Sequence, residues 1–447
     1  MRQLYLYSIA LFFTSTIYSQ TCWKDAACGA VFAITINLDG TLWVSGNLGN
    51  EYSTNIPQQI GTDTDWKSVK AGHAFALMLK EDNTLWGIGF NSFGQLGDGT
   101  YETRNNPVQI GTSQWKAIGA GDIHSLGVKM DGTLWTWGHN NYGQLGDNSY
   151  TIKYEPNQIS SHTYWKDVDG GISHSMAIQN DGTIWAWGRN NRGQLGDGTL
   201  LDINYPLEIS VGNESFIAIA CGGNYSAAIL DDGTLWTWGA GNSGQLGHGN
   251  FLDFHSPTQV LTDNDWVELD LGINHTLAIK NDGTLWAWGH NTYGELGIGN
   301  APNQNLPVQV ELDTNWEFVT AGLDFTYAIK TNNEMWAWGW NALGQLGNDS
   351  YTDQSVPTQW NCSTLSVNEN SFNEIIIFPN PTSGVIHLDD NENSLFIIEI
   401  YNLIGDKMIQ LENSNSVDLS NLSSSIYLLK AKNIVNNRLI QRKIIKN

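Results

Sequence analysis

Residues 165–196 read WKDVDGGISHSMAIQNDGTIWAWGRNNRGQLG, and this stretch decides the fold. Trp165 to Val168 has the pattern of a short strand and stops at Gly170-Gly171. His174 to Ile178 forms a second strand, and Asn180-Asp181-Gly182 turns the chain back. Asp-Gly supplies the positive φ of a type I′ hairpin, so that turn type is expected here. Thr183 to Trp187 is the third strand, and the loop Asn191 to Gly196 leads to a fourth near Tyr205 to Ile209. Four short strands in roughly 50 residues make one propeller blade. A single blade cannot cover both of its faces, so copies must stack around an axis.

Copies are present. Thr-(Leu/Ile)-Trp ends at Trp43, Trp86, Trp135, Trp185, Trp236 and Trp286, and Glu-Met-Trp ends at Trp336. A second Trp follows two places later at Trp137, Trp187, Trp238, Trp288 and Trp338. Each unit opens on an aromatic: Trp23, Trp66, Trp115, Trp165, Phe216, Trp266 and Trp316. These positions hold 18 of the 20 Trp, so the tryptophans keep structural register and mark no special site. The expected fold is all-β: a seven-bladed β-propeller over residues 21–362.

The full pattern is (Ala/Gly)-Gly-x-x-(His/aromatic)-(Ser/Thr), then Asp-Gly-Thr-Leu-Trp-x-Trp-Gly, then Asn-x-x-Gly-Gln-Leu-Gly. It resembles the regulator of chromosome condensation repeat, over roughly residues 22–361, and that family forms seven-bladed propellers. Unit 1 departs from it, with Asn47-Leu-Gly-Asn50 after Gly46, and unit 7 has Asn332-Asn333 at the turn. Terminal units of a ring are expected to be atypical. The family's best-known activity is guanine-nucleotide exchange. It is not expected here, because the units are too evenly spaced to hold an inserted wedge and the chain reads as exported.

Export is read at both ends. Arg2 precedes the mostly apolar stretch Leu4 to Ile17, and Ser19-Gln20 follows as a cleavage region. That stretch is shorter than the ~20 residues that span a bilayer, so residues 1–20 read as a signal peptide and no membrane-spanning segment remains after its removal. Cys22 and Cys362 flank the repeats, and a disulfide between them is expected to close the ring. Cys28 and Cys221 occupy one repeat position in two distant units and are expected to stay buried thiols. Residues 363–373 form a polar linker.

Residues 374–447 carry short strand candidates at Ile375–Phe378, Val385–Leu388, Leu395–Tyr401, Ser425–Ala431 and Leu439–Ile445. Phe378-Pro-Asn-Pro-Thr-Ser-Gly384, Ile400-Tyr-Asn-Leu-Ile-Gly405, Val417-Asp-Leu-Ser420 and the basic end Arg442 to Lys446 resemble the C-terminal sorting domain of type IX secretion cargo. The resemblance implies a small β-sandwich that engages the type IX secretion machinery, and a product secreted or held on the outer surface of a Gram-negative bacterium.

The chain carries 21 Lys+Arg against 45 Asp+Glu, a formal charge of −24, which repels phosphate backbones and argues against nucleic acid as partner. The C-terminal segment holds only 7 basic and 8 acidic residues, so the acidity belongs to the repeats. No nucleophile elbow, phosphate loop or zinc-type motif occurs, so no catalytic residue, cofactor or metal is expected. His124, His174 and His275 share a position with Phe32, Phe75, Tyr225 and Phe325, which reads as packing. Asp131, Asp181, Asp232 and Asp282 head hairpins, where turn geometry consumes their carboxylates. Asp98, Asp147 and Asp197 follow the Gly-Gln-Leu-Gly loop, but His248, Ile298 and Asn348 replace them elsewhere, which argues against calcium.

Two loop positions vary between units. After the Trp-x-Trp-Gly strand stand Phe90, His139, Arg189, Ala240, His290 and Trp340; before the Gly-(Gln/Glu)-Leu-Gly loop stand Phe93, Tyr142, Arg192, Ser243, Tyr293 and Leu343. Phe90, Phe93, His139, Tyr142, Arg189, Arg192, His290, Tyr293 and Trp340 are therefore the candidate binding residues, of types enriched at interface hot spots. The expected function is a non-enzymatic binding propeller that recognises an extracellular protein or glycan. Two alternatives stay open. One is an enzyme inhibitor, since a secreted propeller of this repeat type resembles a known β-lactamase inhibitory protein. The other is a propeller lyase or glycosidase, which would need a carboxylate or Tyr/His cluster unique to one unit; the sequence alone shows none.

Overall fold

The computed structural model describes residues 23–49, 52–212, 215–360, 376–389, 395–402, 406–433 and 439–446. The expected signal peptide over residues 1–20, Cys22, Cys362 and the expected linker over 363–373 lie outside these residues. The chain divides into two compact units, Met1–Ser363 and Thr364–Asn447.

The first unit is a ring of seven four-stranded antiparallel blades. Blade 4 runs Trp165–Gly170, His174–Gln179, Ile184–Gly188 and Ile203–Ile209, paired in chain order from the inside outward. The other blades repeat this order, starting at Trp23, Trp66, Trp115, Phe216, Trp266 and Trp316. Blades 2 and 3 share one continuous strand, Arg104–Ala120, and so merge into a seven-stranded sheet. The cause is local: the connection from Ile110 to Trp115 is one residue shorter than that from Ile60 to Trp66.

Each motif residue has a structural task. Asp131 accepts from the Thr133 backbone N–H (3.0 Å) and hydroxyl (2.6 Å), and that hydroxyl accepts from the Trp135 indole N–H (2.8 Å). The carboxylate is thus consumed within its own hairpin, as expected. The turn type differs from expectation. In blade 4 the Gly182 N–H reaches the Gln179 carbonyl, and of the turn residues only Gly182 has positive φ, at 85°. A type I′ turn needs two such residues, so this is a three-residue loop in which Gly takes the left-handed position after a type I turn. At the same place Asn83 and Asn333 adopt φ of 65° and 62°, which Asn tolerates better than other side chains.

The Gly-x-x-(His/aromatic) pair is a packing unit. A Cβ on Gly171 would stand 2.2 Å from Cε1 of His174, so the ring lies flat on a backbone only Gly can offer.

The Gln of Gly-Gln-Leu-Gly is the joint between blades. The Gln144 carbonyl accepts from the Ser175 hydroxyl and the Trp187 indole of the next blade, both at 2.8 Å. Gln95, Gln194 and Glu295 do the same with Ser125 and Trp137, Ser226 and Trp238, and Thr326 and Trp338. Closure between blades 7 and 1 follows the same logic. Ser45 donates to the Gln345 carbonyl at 3.1 Å, Asn333 Nδ2 donates to the Trp23 carbonyl at 3.2 Å, and Trp23 stacks on Trp360 at 4.6 Å.

The second unit is a β-sandwich. Ile376–Phe378, Val385–Asp389 and Ser416–Asp418 form one sheet; Phe396–Tyr401, Lys407–Ser414, Ser425–Asn433 and Leu439–Lys446 form the other. Ile386, Leu388 and Val417 of the first sheet pack on Phe396, Ile398, Ile400, Leu429 and Ala431 of the second. Two strands, Lys407–Ser414 and Ser416–Asp418, were not among the expected ones.

Candidate functional site

Antiparallel order places the connections between strands one and two, and between three and four, at the same end of every blade. That end is one face of the ring, and it carries all nine candidate residues. The Phe90 backbone N–H bonds Ala74 and the His139 N–H bonds Ile123, tying the two kinds of loop together.

The two variable positions meet across blade boundaries. Phe93 of blade 2 packs on His139 of blade 3 (5.1 Å), and Arg189 of blade 4 lies over the Tyr142 ring of blade 3 (4.6 Å). Tyr293 of blade 6 packs on Trp340 of blade 7 (5.9 Å). Phe90 joins Phe93 at 6.3 Å. The residue of blade 5 at the matching position, Ala240, offers no ring, and Arg192 makes a bidentate pair with Asp253 of blade 5 (2.6 and 2.7 Å). The variability is therefore partly coupled packing: a residue in one loop is matched by its neighbour's. His139 is buried, its Nδ1 bonded to Gln144 Nε2 at 2.9 Å, so it supports Phe93 from beneath. Tyr293 is the most exposed ring of the set at 38%.

Asp98 and Asp147 hold their own loops and their neighbouring cations. Asp98 accepts from Thr100 and from Arg104 (2.6 Å), and Asp147 accepts from Ser149 and pairs with Lys153 (3.2 Å). Both carboxyls sit below the ordinary range: burial would raise them, but these bonds prevail. His124, His174 and His275 are fully buried and pack as the sequence suggested, but they bond across blades. Their Nε2 atoms reach Ser175, Ser226 and Thr326 of the following blade at 2.9, 3.0 and 3.2 Å. Each of these hydroxyls gives its own proton to a Gln or Glu carbonyl, so the histidines donate from Nε2 and are neutral. Burial lowers their pKa to about 3 for His124 and about 4 for the other two. Cys28 and Cys221 are buried free thiols.

The inner strands enclose an axial cavity of about 470 Å³, unforeseen from the sequence. Asp25, Asp167, Asp169, Glu268 and Asp270 line it together with Lys70. Three of these carboxylates clamp the next blade: Asp25 accepts from the Val69 N–H (3.0 Å), Asp169 from Cys221 (2.7 Å) and Asp270 from Ala321 (2.8 Å). Enclosure by the blades raises Asp25 to about 6 and Asp169 and Glu268 to about 7, against the pull of Lys70. Lys70 itself is accessible to the lumen, yet four of these carboxylates hold its pKa up against the cost of enclosure. The signal lies in the third and fifth residues of the opening strands, which in Trp165–Gly170 and Trp266–Leu271 are Asp167, Asp169, Glu268 and Asp270 and all line the axis.

A second cluster corrects the sequence reading directly. No group of carboxylates and His unique to one unit was expected, yet His290, Glu295 and Asp324 meet at the joint between blades 6 and 7. His290 Nδ1 bonds the Glu295 carboxylate and lies 3.6 Å from Asp324. Thr292 Oγ1 bonds the other ring nitrogen at 2.8 Å. Glu295 has no exposed side-chain surface, while His290 and Asp324 are partly open to the loop face. The His290 bond lifts its own pKa; burial would raise Glu295, but the same bond holds it below the usual range. Burial and Glu295 raise Asp324 to about 6.

Residues 14–260 match the model of the RCC1-like domain, and residues 282–329 and 332–368 match the regulator of chromosome condensation (RCC1) repeat. The chain belongs to the RCC1-like domain family. Residues 376–447 match a secretion system C-terminal sorting domain, so this RCC1-like propeller is a secreted or cell-surface protein tied to that secretion machinery. Among solved structures, yeast RCC1 (Prp20) in its complex with Kap60 is 20% identical with a TM-score of 0.64, over 78% of this chain and 87% of that one. Human WBSCR16 is 22% identical with a TM-score of 0.62, over 68% and 85%. At this identity the likeness concerns the fold. The X-linked retinitis pigmentosa GTPase regulator homolog of Caenorhabditis elegans is 44% identical over 59 residues, 13% of this chain and 4% of that protein. The human E3 ubiquitin-protein ligase HERC2 is 54% identical over 44 residues, 10% of this chain and 1% of that protein. No helix among the described residues is long and apolar enough to cross a membrane.

Proposed function

We propose that this RCC1-like propeller is a non-enzymatic binding protein, displayed outside a Gram-negative cell, that recognises a protein or glycan through the loop face. The observation that supports it is the belt of inter-blade pairs on that face: Phe93 with His139, Tyr142 with Arg189, and Tyr293 with Trp340. Neighbouring packing fixes these rings and the guanidinium before any partner arrives, so little side-chain entropy remains to be lost on binding. Aromatic and Arg side chains are also the types that dominate binding energy. Residues 374–447 act as the sorting module in this reading, and residues 1–20 as the signal peptide. Guanine-nucleotide exchange on an intracellular GTPase does not fit an exported chain.

The test is capture from the cell surface and surroundings with immobilised parent chain and with a Tyr142→Ala, Arg189→Ala, Tyr293→Ala variant. A partner retained by the parent and lost by the variant, at matched thermal stability, supports the face. Equal capture by both rejects it.

A further inference from the structure

In most blades the joint at this face is built from an amide. The Gln side-chain carbonyl accepts the backbone N–H two residues before it, while its amide nitrogen takes different partners: in blade 3 that of Gln144 bonds His139 of its own blade. At the blade 4–5 and 5–6 joints that nitrogen faces an Asn: Gln194 reaches Asn224 at 3.4 Å and Gln245 reaches Asn274 at 3.5 Å. At the blade 6–7 joint both partners change. Glu295 replaces the Gln and Asp324 the Asn, while Glu295 still accepts the Tyr293 N–H at 2.9 Å. Where a donor met an acceptor, two carboxylates now face one gap, and one has no exposed surface. Like charges this close need a positive partner, which in the unliganded joint is the proton on His290 and which a metal ion would replace. His290 Nδ1 points into that gap, and the ligand atoms of all three side chains lie within 4.8 Å of one another. Among the described residues this is the one such group of three or more His, Cys, Asp or Glu.

We propose that His290, Glu295 and Asp324 form a divalent transition-metal site, with Zn²⁺ the best-matched ion. One imidazole and two carboxylates make a three-ligand set suited to Zn²⁺, which leaves a fourth position for water. The partial exposure of His290 and Asp324 turns that position toward the loop face. Thr292 is the outer support. With metal on Nδ1 the imidazole proton moves to Nε2 and is donated to the Thr292 hydroxyl, which fixes the ring. Uptake at neutral pH releases whatever proton Nδ1 carried, so affinity falls in acid. The site stands independently of what the face binds.

The variant that tests it is Glu295→Gln with Asp324→Asn, which rebuilds the amide pair of the blade 4–5 and 5–6 joints and so should fold. The full chain, stripped with a chelator and titrated with ZnCl₂ at pH 7.5 in a calorimeter, is expected to bind one Zn²⁺ that the double variant binds about 100-fold more weakly, or not at all. Thr292→Val should weaken binding by about 10-fold. Parent protein that takes up no stoichiometric Zn²⁺ overturns the proposal, whether or not the double variant alters pH-dependent stability. Equal uptake by parent and double variant, at unchanged melting temperature, overturns it too.

Discussion

His174 shows how one position can hold either Phe or His and still differ in consequence. The ring packs on Gly171, which Phe also does at Phe75 over Gly72, but its Nε2 also bonds Ser226 of the next blade. Burial lowers its pKa to about 4, so the neutral ring's contribution is complete above pH 6.5 and is lost as pH falls toward 4. His174→Phe should therefore cost about 1 kcal/mol at pH 7.5, one hydrogen bond, yet gain back about 2 kcal/mol at pH 5. Urea unfolding at both pH values checks the crossover. The sequence revealed the packing because Phe and His alternate there. It hid the hydrogen bond because the partner hydroxyl lies a whole repeat further along the chain. A jump between units also hid the metal-type cluster: Gly294-Glu295-Leu296-Gly297 was legible as a variant of the Gln motif, but Asp324 comes from the next unit.

Within each blade, strand order and hairpins were readable because period-two alternation and Asp-Gly turns are local signals. The inner strand was only half readable. Its aromatic start was plain, but the carboxylates Asp25, Asp169 and Asp270 act between blades, on the backbone of a neighbour. Asp25, Asp169 and Glu268 have raised pKa values, so the folded ring holds more protons than the unfolded chain, and stability falls as pH rises from about 4 to about 7. Lys70 is the cation that offsets their charge. Lys70→Met should lower the melting temperature more at pH 8 than at pH 5, and calorimetry at the two pH values decides it; an equal drop at both would contradict the role of Lys70 in offsetting these charges.

On the scale of the whole molecule, every blade is built from contiguous strands, so no shared blade closes the ring. Among the described residues, blades 7 and 1 meet by side-by-side packing, centred on Trp23 against Trp360, and by a few hydrogen bonds such as Ser45 to Gln345 and Asn333 to Trp23, with no strand shared between them. A Cys22–Cys362 disulfide next to these two rings would hold the seam, contributing about 4 kcal/mol or more in the chain-entropy picture. Non-reducing peptide mapping should recover the linked pair, and Cys362→Ser should unfold at lower urea. The acidic ring, its exposed loop face and the sorting domain together support an outward-facing binder, and one comparison tests that most directly. The partner's affinity would be measured for three proteins: the parent, the Tyr142→Ala, Arg189→Ala, Tyr293→Ala variant, and a variant of exposed apolar residues on the opposite face, Leu38→Ser with Met130→Ser. We expect loss of at least about 2 kcal/mol for the loop-face variant, as hot spots give, and none for the other. Loss only in the opposite-face variant would contradict the account.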